Sequence, residues 1–169
     1  MCIRDSIGTA RLRRSVCEGS GVEVLTPELD ESLRGRDEDA ELAALLDAVL
    51  IGTRGSIIRW YYTPMMLPFS QHVQADCVVY DCMDELSAFR GAPPELLDRE
   101  RLLLEAADLV FTGGTSLYEA KRDRHSNVHA FPSSIDVPHF ARARKGGAVP
   151  AEQAAIAGPR LGFSGVIDE

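Results

Sequence analysis

Apolar runs alternate with amphipathic stretches along the middle of the chain. Runs rich in β-branched and aromatic residues predict strands at 57–62, 78–80, 109–111 and 128–131. Leucine spacing predicts helices over 37–50 and from Pro93 to about 107, and a glycine pair predicts a third helix, capped by Thr115 or Ser116 and ending near 124. This alternation indicates an α/β fold, a parallel Rossmann-like sheet with flanking helices on both faces.

The pattern outside this part is less regular. Residues 22–25 form the one strand-like run in a charged, turn-rich stretch from 7 to 36, and residues 136–143 suit a helical turn. The stretch after Lys145 is rich in glycine, alanine and proline and predicts a linker over 146–159. A fifth strand is expected at 161–165. We therefore expect a partial N-terminal domain over 7–145 and the start of a second domain at 160–169.

Residues 1–6 resemble the translation of a sequencing adapter, a scar common in metagenomic assemblies, so they are set apart from the predicted fold. The remaining sequence has the composition of an ordinary globular domain, with 45% hydrophobic and 26% charged residues in a chain of 169. The net charge of −8 argues against a nucleic-acid surface. No apolar run approaches the ~18–20 residues that a membrane span needs. A cytoplasmic protein is expected, with peripheral contact at the inner membrane as an option.

The four cysteines and four histidines show no metal-site spacing. Reduced, buried thiols are the expectation. Glu100 is more informative, because it falls inside the apolar stripe of the predicted helix after Pro93. A carboxylate in that position must be paired or hydrogen-bonded, and we expect a neighbouring cation or backbone group to hold it.

Acidic residues follow the predicted strand at 78–80. Asp81 and Asp84 at a strand's carboxyl end can act as general base, hydroxyl anchor or metal ligand. The same spacing suits helix N-capping by either aspartate, with Glu85 favouring the helix dipole. Both interpretations stay open at the level of the sequence.

Small and hydroxyl-bearing residues follow the next two strands. The loop after 109–111 contains Gly113, Gly114, Thr115 and Ser116. Its backbone N–H groups can hold a phosphate or a sugar hydroxyl, but it has neither the Walker nor the dinucleotide signature, and a tight turn with a cap explains it as well. After 128–131, Ser133 and Asp136 can line a cleft or close a turn through side-chain-to-backbone bonds. Trp60, Tyr61 and Tyr62 can stack on a sugar or pack in the core.

The order of these pieces resembles the GT-B glycosyltransferases, most closely the family 4-type sugar-nucleotide enzymes often described as "glycosyltransferase family 1". The likeness covers about residues 56–169. It rests on the acidic turn after 78–80, the helix ending before Asp108-Leu109-Val110, the segment Phe131-Pro132-Ser133-Ser134-Ile135-Asp136, and the segment Leu161-Gly162-Phe163-Ser164-Gly165.

The resemblance implies transfer of a sugar from a nucleotide-sugar donor to an acceptor hydroxyl on a glycan, lipid or small molecule, with no cofactor or metal. Asp84 and Asp81 would be catalytic, and Gly165 would begin the donor-phosphate loop of a second domain. The other substrate-binding residues would be Gly113, Gly114, Thr115, Ser116, Ser133 and Asp136. The alternatives are a non-catalytic Rossmann-like binding module and a GT-B-like sugar-nucleotide epimerase.

The sequence departs from the family pattern at two positions that matter. Ser133-Ser134 replaces the usual Asn-Gly pair, and Met83 stands near the place where many relatives have a histidine, so Asp84 becomes the substitute. The donor-binding acidic motif and basic pair would lie beyond Glu169. The chain is therefore expected to hold mainly the acceptor half and to be inactive by itself.

Overall fold

The computed structural model describes residues 4–7, 10–30 and 38–163, with side chains from residue 10 onward. The expected site residue Gly165 lies outside the described residues. In chain order the strands and helices are β1 (Arg4–Ile7), β2 (Ala10–Val16), β3 (Glu23–Glu28), α1 (Glu38–Leu50), β4 (Ile58–Tyr61), α2 (Leu67–Ser70), β5 (Cys77–Cys82), α3 (Leu96–Ala106), β6 (Leu109–Thr112), α4 (Thr115–Lys121), β7 (Val128–Ala130), α5 (Val137–Ala141) and α6 (Ala151–Ala154).

The four strands β4, β5, β6 and β7 form one parallel sheet in that order. The register places Tyr61 opposite Tyr80, and Asp81 opposite Phe111. Because all four strands run the same way, their carboxyl ends meet at one edge. The predicted α/β class, a parallel Rossmann-like sheet flanked by helices, is confirmed.

The helices that follow these strands pack on one face of the sheet. Parallel strands in sequential order with right-handed crossovers place every connection on the same side. The main core accordingly joins one side of the sheet to α2, α3 and α4, and consists of Tyr61, Leu67, Val78, Tyr80, Cys82, Leu103, Leu104, Ala107 and Val110, with Leu117 and Val128 packed against it. The sequence predicted helices on both faces of the sheet. Among the described residues, helices cover only the face that carries this core.

The opposite face of the sheet carries large side chains that remain partly in water. Trp60 and Phe111 alternate with the buried Tyr61 and Val110 along their strands, so they point away from the helices. Trp60 is 48% exposed, and Ile58 on the same strand is 61% exposed. This uncovered face is where the candidate site lies.

A three-stranded antiparallel sheet of β1, β2 and β3 precedes the parallel one. The strand predicted at 22–25 corresponds to β3, but the expectation that it is the only strand between residues 7 and 36 was wrong. β2 alternates buried Ala10 and Leu12 with exposed arginines. The sequence does not indicate a strand here because charged residues are more typical of loops. Two of these arginines are neutralised across the sheet, Arg13 by Glu28 at 3.3 Å and Arg14 by Glu23 at 3.1 Å. The adapter-like residues from Arg4 onward pair with β2 as part of β1.

Several predicted boundaries also differ. The helix expected from Pro93 begins at Leu96, and the helix expected to reach residue 124 ends at Lys121. The predicted linker contains the short helix α6. Residues 161–163 of the expected fifth strand show no strand, and 164–169 lie outside the described residues.

Glu100 is held by a buried network, as the sequence predicts. The residue is 3% exposed. Its carboxylate accepts from Lys121 Nζ at 2.7 Å, from Arg124 Nη1 at 2.8 Å and from the Tyr80 hydroxyl at 3.1 Å. Lys121, itself 1% exposed, also donates to Glu85 at 2.8 Å. These bonds connect α3, α4, β5 and the loop after β5.

The charges in this network stabilise one another. Burial by itself would lower the pKa of Lys121, but its hydrogen bonds to Glu100 and Glu85 outweigh that effect and hold the pKa above its usual value. The same balance acts on Glu85, where burial raises the pKa but the bonds from Lys121 and Ser87 bring it below its usual value. Both groups are therefore charged at neutral pH.

We expect Glu100→Gln and Lys121→Met each to lower the free energy of unfolding by about 3 kcal/mol, because each leaves a buried charge short of a partner. The double variant should cost at least about 1 kcal/mol less than the sum, since it removes both charges together. Urea unfolding measures this cycle. Glu105→Gln is the matched control, an exposed pair with Arg101 on the same helix, and should cost less than about 0.5 kcal/mol. Strictly additive losses would contradict the coupling.

Candidate functional site

The loops at the carboxyl edge of the parallel sheet are joined by backbone hydrogen bonds. Gly113 N–H donates to the Cys82 carbonyl at 2.9 Å, and Ser133 N–H donates to the Gly113 carbonyl at 3.4 Å. The loops after β5, β6 and β7 thus lie side by side. This is the edge where open α/β sheets place their ligands, and of the predicted residues Gly113 and Ser133 are brought together here.

Gly113 is required where two of these loops approach each other. A Cβ atom at this position would lie 2.8 Å from the Met83 carbonyl oxygen and 3.1 Å from Met83 Cα, both backbone atoms. Gly114 differs, because a Cβ there meets nothing within 4 Å and its φ of −167° is extended backbone. Close packing against Met83 therefore requires glycine at position 113, whereas a side chain at position 114 would point into open space.

Asp81 has a different position from the one predicted. It belongs to β5 and does not follow it. Its side chain alternates with the buried Tyr80 and Cys82, so it lies on the uncovered face, where it accepts the Trp60 Nε1–H at 3.2 Å. This contact joins β5 to β4. The N-capping interpretation is wrong for Asp81, since its carboxylate bonds an indole.

Asp84 lies exposed in the loop after β5. The short 3₁₀ turn Leu86–Ala88 that follows starts after Glu85 and has no side-chain cap, so the capping interpretation fails for Asp84 as well. Glu85 bonds Lys121 and the Ser87 hydroxyl, both at 2.8 Å, and does not serve a helix dipole. The loop is thus tied to the buried network at Glu85, and the preceding residue, Asp84, exposes its carboxylate to solvent.

A groove lies beside this loop on the uncovered face. We call it the aromatic groove; it has a volume of about 310 Å³ and is lined by Trp60, Asp81, Met83, Phe111 and Phe131. The ring centroids of Trp60 and Phe111 are 5.6 Å apart, and those of Phe111 and Phe131 are 5.0 Å apart in an edge-to-face arrangement. Phe131 is 64% exposed. The groove combines aromatic surface with one carboxylate.

The sequence identified only part of this groove. Trp60 was a candidate, but its neighbour Tyr61 is buried in the core and hydrogen-bonded to Ser70 at 2.8 Å, whereas Tyr62 is 64% exposed. Phe111 and Phe131 were assigned to strands without a site role. The period-two alternation of Phe111 with the buried Val110 was the signal that could have placed it on the other face.

The remaining predicted residues have mixed outcomes. Thr115 and Ser116 are exposed in the first turn of α4, and the capping position belongs to Gly114, without a side-chain bond, so the predicted cap is wrong. Ser133 is exposed at the edge. Asp136 accepts the His139 N–H at 2.9 Å and caps α5, as the turn interpretation predicts.

Other chemistry is limited in the part of the chain that the structure describes. Burial raises the pKa of the Cys82 thiol, which keeps it neutral and unreactive. No group of three or more His, Cys, Asp or Glu side chains among residues 4–7, 10–30 and 38–163 is placed to hold a metal ion. None of the described helices combines the length and the apolarity needed to cross a membrane.

Comparison with known proteins adds no relative. No protein-family model, curated protein or solved structure matches this chain. The resemblance to GT-B glycosyltransferases therefore stays a prediction from the sequence.

We expect Gly113→Ala to destabilise the protein by about 1–3 kcal/mol, because the new methyl group overlaps Met83 backbone that cannot rotate away. Gly114→Ala is the matched control at the next position. It should change stability by less than about 1 kcal/mol, since a small gain in chain entropy opposes the weaker capping by alanine. Thermal or urea unfolding measures both. Equal effects at the two positions would contradict the close approach of the loops.

Proposed function

We propose that the chain is the acceptor-side part of a glycosyltransferase and that its aromatic groove holds a sugar ring. In this proposal a nucleotide-sugar donor is bound by a further segment of the same gene product, and the acceptor hydroxyl lies at the carboxyl edge of the parallel sheet. The observation that carries the proposal is the groove itself, with Asp81 at its wall and Asp84 in the adjoining loop.

The chemistry of the groove suits a pyranose. A sugar ring has a flat C–H face that packs on an aromatic ring. The hydroxyl groups at its rim can donate hydrogen bonds to a carboxylate. Trp60 and Phe131 are close to half exposed or more, and such a cluster of exposed rings marks an interaction site. The volume of about 310 Å³ is at the lower end of the ~300–1,000 Å³ range of ligand pockets, which favours a single ring.

The two aspartates have separate roles in the proposal. Asp81 already accepts a hydrogen bond from Trp60, so its other oxygen anchors a sugar hydroxyl. Asp84 follows Met83, a residue of the groove wall, and its carboxylate has no hydrogen-bond partner among the described residues. An exposed carboxylate at this edge can accept the proton of the attacking hydroxyl. Gly114, Thr115 and Ser116 present N–H and hydroxyl groups from the neighbouring loop.

Binding is measured through Trp60, the only tryptophan in the chain. We expect methyl glucopyranoside, methyl mannopyranoside or methyl galactopyranoside to cause a saturable change in its emission at millimolar concentration. Asp81→Asn should weaken binding about tenfold, because a neutral amide forms weaker hydrogen bonds with hydroxyl groups than a carboxylate does. Asp123→Asn, whose side chain is 89% exposed at the end of α4, is the matched control and should bind normally.

The same titration distinguishes a sugar site from a site for a quaternary ammonium ion, because aromatic rings beside a carboxylate also suit such a cation. Tetramethylammonium is the probe. Saturable binding of this ion together with no response to the three glycosides would refute the sugar groove.

In the complete gene product, we expect Asp84→Ala to lower kcat about 100-fold or more while the melting temperature stays within a few degrees of that of the unaltered enzyme. The reason is that Asp84 is exposed and its carboxylate forms no hydrogen bond or ion pair with the described residues, so its loss should not weaken the fold. Asp123→Ala is the control for loss of an exposed aspartate. An unchanged kcat in the Asp84 variant would refute the catalytic role of Asp84. Sugar binding without any turnover by the unaltered gene product would leave the groove as part of a non-catalytic binding module.

A further inference from the structure

Arg59 places a positive charge in a pocket that is otherwise apolar. The pocket lies between β4, α1 and α2 and has a volume of about 270 Å³. Apart from Arg59, the lining residues that have polar side-chain atoms are Trp60, Tyr61 and Ser70, and none of the described lining residues is acidic. Arg59 is partly buried, so part of its guanidinium charge is removed from water.

The hydrogen bonds of Arg59 do not use its full capacity. Nη1 donates to the Tyr61 hydroxyl at 3.2 Å and to the Ser70 carbonyl at 3.3 Å. Nε is buried and has no acceptor among the described residues. A guanidinium carries five N–H donors, and no carboxylate of the described residues forms an ion pair with this one. The guanidinium therefore keeps unused N–H donors, and an anion in the pocket can pair with this charge.

A second cavity adjoins this pocket. It has a volume of about 280 Å³ and shares Leu46, Met66 and Phe69 with the first as lining residues. Its other walls come from β2, β3 and α1 and are apolar throughout, with leucines such as Leu12 and Leu45. The two neighbouring cavities therefore provide a cation in the first and aliphatic side chains in the second.

We propose that Arg59 binds the carboxylate of a linear alkyl carboxylic acid whose chain extends past Phe69 into the adjoining cavity. A planar guanidinium forms paired, charge-assisted hydrogen bonds with a carboxylate. The alkyl chain gains from leaving water for the aliphatic walls. The inference does not rest on the proposed glycosyltransferase function, because Arg59 faces the core side of β4 and the aromatic groove lies on the other side.

The first test uses the complete 169-residue chain without any substitution. Decanoate, decanol and acetate are titrated below micelle-forming concentrations, with calorimetry and the emission of Trp60, which lines the pocket, as readouts. Decanoate should bind at least about tenfold more tightly than decanol, and acetate should show no saturable binding. Equal affinity for decanoate and decanol would overturn the proposal, because the site would then recognise only the chain.

The second test assigns the preference to Arg59. Arg59→Met keeps an unbranched apolar side chain but removes the guanidinium charge, and it should bind decanoate and decanol equally. The matched control is Arg101→Met, a change at an exposed residue of α3, which should keep the tenfold preference. A preference retained by Arg59→Met would refute the assignment. If the Arg59→Met variant does not fold, the ratio of the affinities of the unaltered chain for decanoate and decanol decides whether the proposal stands.

Decyl phosphate is the last probe. If it binds tenfold more tightly than decanoate does, a carboxylate-specific site is excluded.

Discussion

The buried carboxylate of Glu100 is the constraint on which the rest of the structure depends. A charge at 3% exposure is tolerated only with partners, and Lys121, Arg124 and Tyr80 supply them from α4, the turn after it and β5. Because the partners belong to different elements, the pair fixes how two helices sit on the sheet. Apolar packing alone would tolerate small sliding motions, but a buried ion pair at 2.7 Å does not.

The same network reaches the candidate site through Lys121. Its ammonium bonds both Glu100 and Glu85, so the loop after β5 is tied to the core one residue after Asp84. On the other side, the close approach of Gly113 to the Met83 backbone holds the loop against the next one. Asp84 is therefore an exposed carboxylate on a restrained backbone. Such restraint lowers the entropic cost of binding and reaction at an exposed group.

The strand order explains where the two proposed ligand sites lie. Sequential parallel strands place α2, α3 and α4 on one face, which leaves Trp60, Phe111 and Phe131 partly in water on the other. At β4, the edge strand, consecutive side chains point in opposite directions. Arg59 faces the helices and the apolar pocket, and Trp60 faces the aromatic groove while also bordering that pocket. One short strand thus contributes to both sites.

The sequence alone determined the features that depend on local periodicity and composition. Alternating strands and helices predicted the α/β class, and the position of Glu100 in a leucine stripe required a buried partner. For Asp136 the sequence left a cleft and a turn open, and the structure shows that it caps α5. What the sequence could not supply was the identity of partners distant in the chain. Lys121 lies 21 residues from Glu100, and no local pattern connects them.

Only the tertiary structure decided which face each strand residue occupies and which elements meet there. A strand pattern shows alternation, but whether Asp81 or Tyr80 faces the helices depends on the direction of the crossover connections. The same holds for β2, whose arginines look like loop residues until glutamates on β3 pair with two of them. The aromatic groove and the Arg59 pocket exist because distant strands and helices are brought together, and physical contact of that kind is not encoded in any single segment.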